Sequence, residues 1–182
     1  YLKEHRQNSV VLSECFGKLV VQSRMGRMKP FDTLSQEVLY KLSGKNTLLE
    51  MNPTQVLLGM LSHPTVWKKI PMIQTKTPKL RTSLGLESHQ KLASFEDFFE
   101  GSRYKLETEV QKALMLRPSE RGTYENDLIK VDERLSIAFM VYYGTLFKIF
   151  PLPNDANHTW LGLPEMFEKL QNDEGLLLQD QA

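Results

Sequence analysis

The sequence predicts a mainly α fold, an α-rich helical domain with a small β-hairpin near its N-terminus. Three observations predict this class. Apolar residues recur at helical spacing along several stretches, glycine and proline mark the ends of those stretches, and the strand-like pattern is confined to one short β-branched run. With 41% hydrophobic residues among 182, the chain is long and apolar enough to bury a core. We expect one domain.

The strand-like run is Lys18–Gln22, and Gly26 follows it within Arg24–Met28, where a turn would sit. Together the two stretches predict a small hairpin. We therefore expect residues 1–30 to form a strand and turn segment ahead of the helices.

Helix signals dominate residues 31–160, which we expect to form the helical core. Asp32 or Thr33 is the predicted N-cap of the first helix, and Gly44 is its predicted C-cap. Asn52-Pro53 predicts the start of the next helix, because proline is favoured at the first helical position.

The longest helix is predicted from about Tyr124 to Tyr143, and residues 161–182 are predicted to hold a C-terminal helix, beginning at Pro164, and a tail. The apolar stripe of the longest helix keeps a helical period and consists of Leu128, Val131, Leu135, Ala138, Phe139 and Tyr142. No apolar run approaches the roughly 20 residues that a membrane-spanning helix needs.

The sequence contains no recognisable catalytic constellation, so we predict no catalytic residue, no metal site and no haem ligand in this chain. The single cysteine, Cys15, excludes an internal disulfide and is interpreted as a core thiol. The histidines lack metal-ligand spacing, which favours structural or solvent-exposed roles over haem or metal ligation. They are His5, His63, His89 and His158.

One segment is basic and free of acids: no Asp or Glu occurs from Met51 to Leu86. The simplest interpretation is a solvated basic edge. The alternative is contact with an anionic partner such as lipid headgroups or haem propionates. The residues that would make this contact are Lys68, Lys69, Lys76, Lys79 and Arg81. The whole chain has a net charge of only +1, so we expect no nucleic-acid partner.

A charged cluster lies within the predicted longest helix: Lys130, Asp132, Glu133 and Arg134. Lys130 and Arg134 share a helical face, and we expect the cluster to form ion pairs that tie this helix to its neighbours. The other interpretation is a functional acid. In a free-standing helical enzyme, Asp132 or Glu133 would act with His89 in a site assembled only by the fold.

Several short strings occur in order between about residues 16 and 160. They are Phe16–Gln22, Gly26–Leu34, Gln55–Met60, Trp67, Met72-Ile73, Ala93–Phe99, Tyr104–Leu106, Ile129–Arg134 and Ile149–Pro151. This ordered set resembles system II cytochrome c biogenesis proteins, the fused ResB/CcsA-type synthases of epsilonproteobacteria and Bacteroidetes. The pattern often has a histidine where this chain has Leu12.

The resemblance implies a periplasmic domain of the ResB-like half of such a synthase, at the periplasmic side of the bacterial inner membrane. Residues 161–182 would then lead towards a membrane segment. The implied function is a non-catalytic module that braces the haem chamber and helps to receive apocytochrome c.

The implied partners are the membrane (CcsA-like) half of the same protein, apocytochrome c and, indirectly, haem. Haem would be handled by the full-length cytochrome c synthase, and no cofactor is expected on this segment. Two alternatives stay open, the free-standing helical enzyme and a cytosolic helical adaptor.

Overall fold

Helices make up most of the computed structural model, which describes residues 1–23, 26–153, 155–156 and 158–179, so the predicted mainly α fold is confirmed. The helices are α1 (Leu2–Gly17), α2 (Phe31–Ser43), α3 (Pro53–Ser62), α4 (Pro64–Trp67), α5 (Pro78–Ser83), α6 (Glu107–Met115), α7 (Thr123–Tyr142) and α8 (Leu163–Gln179). Two 3₁₀ turns cover Glu96–Phe98 and Pro118–Glu120.

The strands are short and pair in antiparallel twos, β1 with β2, β3 with β4, β5 with β6 and β7 with β8. Their bounds are β1 (Val20–Gln22), β2 (Met28–Pro30), β3 (Ile73–Gln74), β4 (Leu92–Ala93), β5 (Phe99–Glu100), β6 (Arg103–Tyr104), β7 (Phe150–Pro151) and β8 (Trp160–Leu161). Each pair lies in segments that connect helices, and none of the four pairs extends into a larger sheet.

The core lies where α2, α3 and α7 pack against one another, with α1 laid over α2 and α3 and with α6 against α7. Apolar side chains from these central helices are shielded from solvent, which is the main source of stability in a helical domain. They include Leu39, Leu42, Val56, Leu57, Met60, Val131, Ala138 and Val141.

The longest helix, α7, lies within one residue of its predicted bounds. The predicted stripe is buried at Leu128, Val131, Leu135, Ala138 and Tyr142. Phe139 was wrongly included, since its side chain is 48% exposed and stacks on Tyr143 with ring centroids 4.2 Å apart. At about 100° per residue, Phe139 lies further from the centre of the stripe than the neighbouring Ala138, which is buried.

Helix α2 ends as predicted and begins differently. Gly44 takes a left-handed conformation at φ +70° and donates its N–H to the last turn, so the predicted C-cap is confirmed. The predicted N-cap at Asp32 or Thr33 is wrong, because the helix begins at Phe31. Asp32 lies inside the first turn, where its carboxylate accepts a hydrogen bond from Thr54 Oγ1 at 3.2 Å.

Helix α3 begins as predicted, with Pro53 at its first position and Asn52 as N-cap. Asn52 and Gln55 form a reciprocal capping box, with each side chain accepting from the other residue's backbone N–H, at 2.8 Å and 3.1 Å. Further along, Gly59 lies against the indole of Trp67, which is fully buried.

The expectation that residues 1–30 form only strand and turn is wrong for the first part, which is the 16-residue helix α1. Its buried positions are Ser9, Ser13 and Gly17, so no apolar stripe marks the helix in the sequence. The small side chains let α1 lie close to α3, and polar contacts replace the apolar ones.

The predicted hairpin forms as β1 and β2, with Val21 opposite Lys29. Gly26 adopts φ +77°, a left-handed conformation that glycine accepts at no steric cost. Arg24 and Met25 of the predicted turn lie outside the described residues.

Helix α8 begins at Leu163, one residue before the predicted Pro164. Residues 180–182 of the predicted tail lie outside the described part of the chain. Among the residues that the structure describes, no helix has both the length and the apolar character needed to cross a bilayer.

Candidate functional site

A cavity of about 730 Å³ lies between α1, α3, the start of α2 and the chain from Phe147 to Leu163. It is partly open to solvent, and its size is typical of small-molecule sites, which span about 300–1,000 Å³. Most of its wall is apolar. The apolar lining consists of Leu12, Phe16, Leu19, Phe31, Leu58, Leu61, Phe147, Ile149 and Leu163.

Three aromatic rings in this wall form a row in which Phe31 contacts both Phe16 and Phe147. The ring of Phe31 lies 6.3 Å from that of Phe16 and 5.1 Å from that of Phe147, centroid to centroid. Phe31 and Phe147 are buried, so the core holds their part of the wall firmly, whereas Phe16 of α1 is half-buried. Leu12, where the family pattern often has a histidine, lies in the same wall.

The polar end of the cavity is formed by Tyr1, His5 and His63. The ring of Tyr1 lies 5.6 Å from that of His5 and 4.2 Å from that of His63. Trp67 donates from Nε1 to the Tyr1 hydroxyl at 3.4 Å, and the ring of His5 meets its indole edge-on. Glu4, Ser9 and Ser62 complete the polar lining.

The hydrogen-bond network favours one tautomer of His63. When Ser62 donates its hydroxyl proton to the carbonyl oxygen of Leu58 at 2.8 Å, its oxygen is placed to accept from Nδ1 of His63, which lies 3.0 Å away. In that arrangement Nδ1 carries the proton of the neutral ring. Nε2 then keeps a free lone pair on an exposed side chain at the rim of the cavity.

His5 is arranged in the opposite way. Its Nε2 lies 2.8 Å from the carbonyl oxygen of Gln55, which can only accept, so Nε2 is the protonated nitrogen. Gln55 in turn donates to Arg6 O and Ser9 Oγ, at 3.0 and 2.9 Å. His5 therefore serves to anchor α1 on α3.

The other two histidines are elsewhere on the surface. His89 is exposed and its Nδ1 lies 3.2 Å from the carboxylate of Glu87. His158 is exposed in a left-handed conformation at φ +51°. Cys15 is exposed on α1, so its interpretation as a core thiol is wrong. The helix turns Ser13 and Gly17 inward and leaves Cys15 on its outer side.

The basic segment divides in the fold. Lys68 is half-buried, with Nζ lying 5.7, 5.6 and 5.5 Å from the ring centroids of Phe95, Tyr142 and Tyr143. Lys79, at the other end, places Nζ 3.9 Å from the ring of Tyr124.

These ring partners lie at opposite ends of α7. Tyr124 and Tyr142 are 18 residues apart, about 27 Å at 1.5 Å per residue. Lys69 and Lys76 are exposed. The segment therefore presents two separate basic positions, and contact with an anionic partner stays a prediction.

Arg81 is buried and faces inward, unlike the four lysines. Its guanidinium donates to the carbonyl oxygens of Ser88 and Lys76, the latter at 2.7 Å. Asp127, a buried acid that the sequence pattern did not single out, accepts from the backbone N–H groups of Lys76 and Thr77 at 2.9 and 2.7 Å. Arg81 and Asp127 thus hold the middle of the basic segment in place.

The charged cluster of α7 also separates. Glu133 forms an ion pair with Lys41 of α2 at 2.8 Å. Arg134 is buried and donates from Nε to Lys41 O at 2.9 Å and from a terminal nitrogen to Gln74 O at 3.0 Å. Burial lowers the pKa of Arg134, and the Asp127 carboxylate opposes that shift.

Asp132 lies beside the phenol of Tyr104, whose pKa is raised first by burial and then by this neighbouring carboxylate. Lys130 is exposed. Since Glu133 pairs with Lys41 and His89 with Glu87, the side chains suggested for an enzyme site are engaged in separate contacts. Within the described part of the chain, no three His, Cys, Asp or Glu side chains are grouped to hold a metal ion.

Sequence reasoning missed the cavity, because its wall comes from four distant parts of the chain. One local signal was present. The triplet Ser62-His63-Pro64 places a hydroxyl next to an imidazole at a helix end, where serine bonds back to the preceding turn and can orient its neighbour.

No protein-family model matches the chain. The chain is similar to one part of a longer bacterial protein, with 54% identity over 179 residues. That relative is Protein NrfI of Wolinella succinogenes; the match covers 98% of this chain and 20% of the relative. The chain therefore spans about a fifth of the relative's length.

Proposed function

We propose that this chain is a non-catalytic periplasmic module of a membrane-bound cytochrome c maturation protein. The observation that carries the proposal is the aromatic-lined apolar cavity, since a cavity of this kind suits binding of an apolar ligand. The ordered strings that resemble system II proteins support the same role. So does the 54% identity to a segment of Protein NrfI, which extends over almost the entire chain.

In this role the module braces the haem chamber and helps to receive apocytochrome c. Its partners are the CcsA-like membrane half of the full-length protein, apocytochrome c and haem. A bracing role is supported by contacts of charged side chains within the module. Glu133, Arg134 and Arg81 each form an ion pair or a hydrogen bond to another segment of the chain.

Haem is the expected cargo of such a protein, and the cavity fits it in part. Aromatic side chains in the wall suit a flat porphyrin, and Nε2 of His63 is a suitable iron donor. Among the described lining residues there is no Lys or Arg and Glu4 is acidic, so the haem carboxylates would face solvent through the opening.

The proposed function is tested by exchanging the matching segment of Protein NrfI in Wolinella succinogenes for this chain and staining the cells for haem-containing c-type cytochromes. We expect the exchange to preserve the stain. Leu58→Trp, which fills the cavity, should reduce the stain, whereas Leu114→Trp on an exposed face of α6 should leave it unchanged. Immunoblots check that each variant accumulates. Undiminished staining after deletion of the segment would overturn the proposal.

The periplasmic location has its own test. Alkaline phosphatase folds only in an oxidising compartment, so its fusion after residue 179 in the exchanged protein should be active. An inactive but stable fusion would favour the cytosolic adaptor.

A further inference from the structure

We propose that His63 ligates the iron of a haem held in the apolar cavity, through its Nε2. This inference rests on the proposed function, which makes haem the cargo. It adds the position of the haem and the residue that holds it. It also departs from the prediction that this chain contains no haem ligand.

The first step is the orientation of the imidazole. Histidines that bind metals nearly always donate their other ring N–H to an oxygen, which fixes the ring and strengthens the donor nitrogen. Ser62 supplies that oxygen to His63 Nδ1 at 3.0 Å, and it is fixed in turn by its bond to Leu58 O. The ring of Tyr1 further restrains the imidazole from one side.

The second step is the environment into which the ligand would extend. His63 lies at the rim of a cavity whose wall carries Phe16, Phe31 and Phe147. An apolar ligand gains free energy by leaving water there, and flat rings pack well on aromatic side chains. A metalloporphyrin combines an apolar plane with a Lewis-acidic centre, so it matches both the wall and the exposed imidazole nitrogen at its rim.

The neighbouring candidates are less suited. His5 donates from Nε2 to Gln55 O, which leaves its Nδ1 unprotonated, but its half-buried ring is held against the rings of Tyr1 and Trp67 and anchors α1. The Tyr1 hydroxyl accepts from Trp67 Nε1. Glu4 is the acid of the lining, and a carboxylate competes poorly for haem iron beside an imidazole. His63 is therefore the donor that the geometry favours.

The test compares ferric haem with metal-free protoporphyrin IX, each titrated into the 182-residue chain and followed by absorbance and tryptophan fluorescence. Both should bind, because the cavity recognises the porphyrin plane. Haem should bind about tenfold more tightly or better and show a shifted Soret band, because only haem offers iron to His63.

His63→Ala should lower haem affinity to that of the metal-free porphyrin, and free imidazole should restore the Soret spectrum. His89→Ala is the matched control, since it removes another exposed histidine outside the cavity. Ser62→Ala should weaken haem binding partly, because it removes the bond that orients His63. Circular dichroism verifies that each variant is folded.

An unchanged haem affinity and spectrum in His63→Ala would overturn the inference, as would loss of the spectrum in His5→Ala alone. Equal affinity for haem and for metal-free porphyrin would overturn it too. These titrations need no cytochrome maturation, so a failed segment exchange with intact His63-dependent haem binding would reject only the proposed function.

Discussion

At the scale of single residues, the contact between Gly59 and Trp67 is possible because glycine has no side chain. A β-carbon on Gly59 would lie 2.4 Å from two atoms of the indole, far inside van der Waals contact. Trp67 is fully buried and donates to Tyr1 at the polar end of the cavity, so its ring has little room to move. Gly59 thus helps to shape both the core and the candidate site.

Gly59→Ala should therefore lower the free energy of unfolding by about 1–3 kcal/mol, the usual cost of overpacking a core. Alanine in a helix interior is otherwise more favourable than glycine by about 0.5–1 kcal/mol. A decrease in the free energy of unfolding would therefore identify the clash with Trp67 as the dominant effect. Urea unfolding followed by tryptophan fluorescence measures the change.

Gly122→Ala is the matched control for that prediction. The added β-carbon there would meet only the end of the flexible Glu125 side chain, so we expect a loss below about 1 kcal/mol. Equal losses in the two variants would show that the indole moves aside freely.

A second effect at this scale concerns the phenol of Tyr142. Its hydroxyl is buried and has no hydrogen-bond partner among the described residues. Burial raises its pKa, and the nearby carboxylate of Glu96 adds to that shift. The folded protein therefore keeps Tyr142 protonated in a pH range where the unfolded chain releases the proton.

This difference predicts how stability changes in alkali. Below pH about 10, the pKa of tyrosine in an unfolded chain, the contribution of Tyr142 is constant. Above it, stability falls by up to about 1.4 kcal/mol per pH unit until the pKa of the folded state is reached. Tyr142→Phe should lessen this loss, measured by urea unfolding between about pH 8 and pH 11, the range around the ordinary pKa of tyrosine.

Tyr143→Phe is the control, because that residue is exposed and stacks on Phe139 at the surface. The same alkaline loss in wild type and Tyr142→Phe would contradict the assignment. Tyr104, whose pKa burial also raises, would account for any loss that remains.

At the scale of the elements, the turn Leu48–Met51 is made without glycine. Leu49 and Glu50 both adopt left-handed backbone, with φ at 51° and 59°, and Leu48 and Met51 exchange hydrogen bonds across the turn. Tight turns of this shape favour Asn-Gly, since left-handed backbone costs other residues roughly 1–2 kcal/mol. The turn is held at its base by the buried side chains of Leu48 and Met51.

Glu50→Gly should consequently raise the free energy of unfolding by about 0.5–1 kcal/mol, as seen by urea unfolding. The substitution also removes the exposed ion pair between Glu50 and Arg6. Arg6→Ala isolates that loss, and we expect it to be below about 1 kcal/mol. A Glu50→Gly protein less stable than Arg6→Ala would mean that the turn is not strained.

The helices differ in how far their sequences reveal them. Helix α7 could be predicted almost to its ends because its buried residues are apolar and recur with a helical period. Helix α1 could not, because its inward positions are Ser9, Ser13 and Gly17, while Val10 and Val11 face solvent. Its attachment by hydrogen bonds leaves no hydrophobic pattern to detect.

The candidate site was hidden for a related reason. Its wall joins Phe16, Phe31, Leu58 and Phe147, which lie in four separate segments of the sequence. Only tertiary packing brings them around one space. The absence of metal-ligand spacing concerns the four histidines as a set, and it carries no information on the exposed Nε2 of His63.

At the scale of the whole molecule, α1 and the central helices are held by different forces. Helices α2, α3 and α7 share a continuous apolar core, whereas α1 is fixed to α3 largely through Gln55, Asn52 and His5. Hydrogen bonds of this kind contribute about 0.5–1.5 kcal/mol each, less than the burial of large side chains. We therefore expect the wall of the cavity formed by α1 to open without unfolding the core.

Native-state hydrogen exchange should show this order of stability directly. We expect backbone amides of residues 5–17 to exchange through local opening, with a lower free energy and a weaker urea dependence than amides of residues 35–43 and 128–142. Gln55→Ala, which removes the side-chain bonds to Arg6 and Ser9, should speed exchange in α1 while leaving α7 nearly unchanged. Exchange of α1 and α7 with one free energy and one urea dependence would instead mean that α1 belongs to the cooperative core. In that case a ligand would have to enter through the existing opening of the cavity, without displacement of α1.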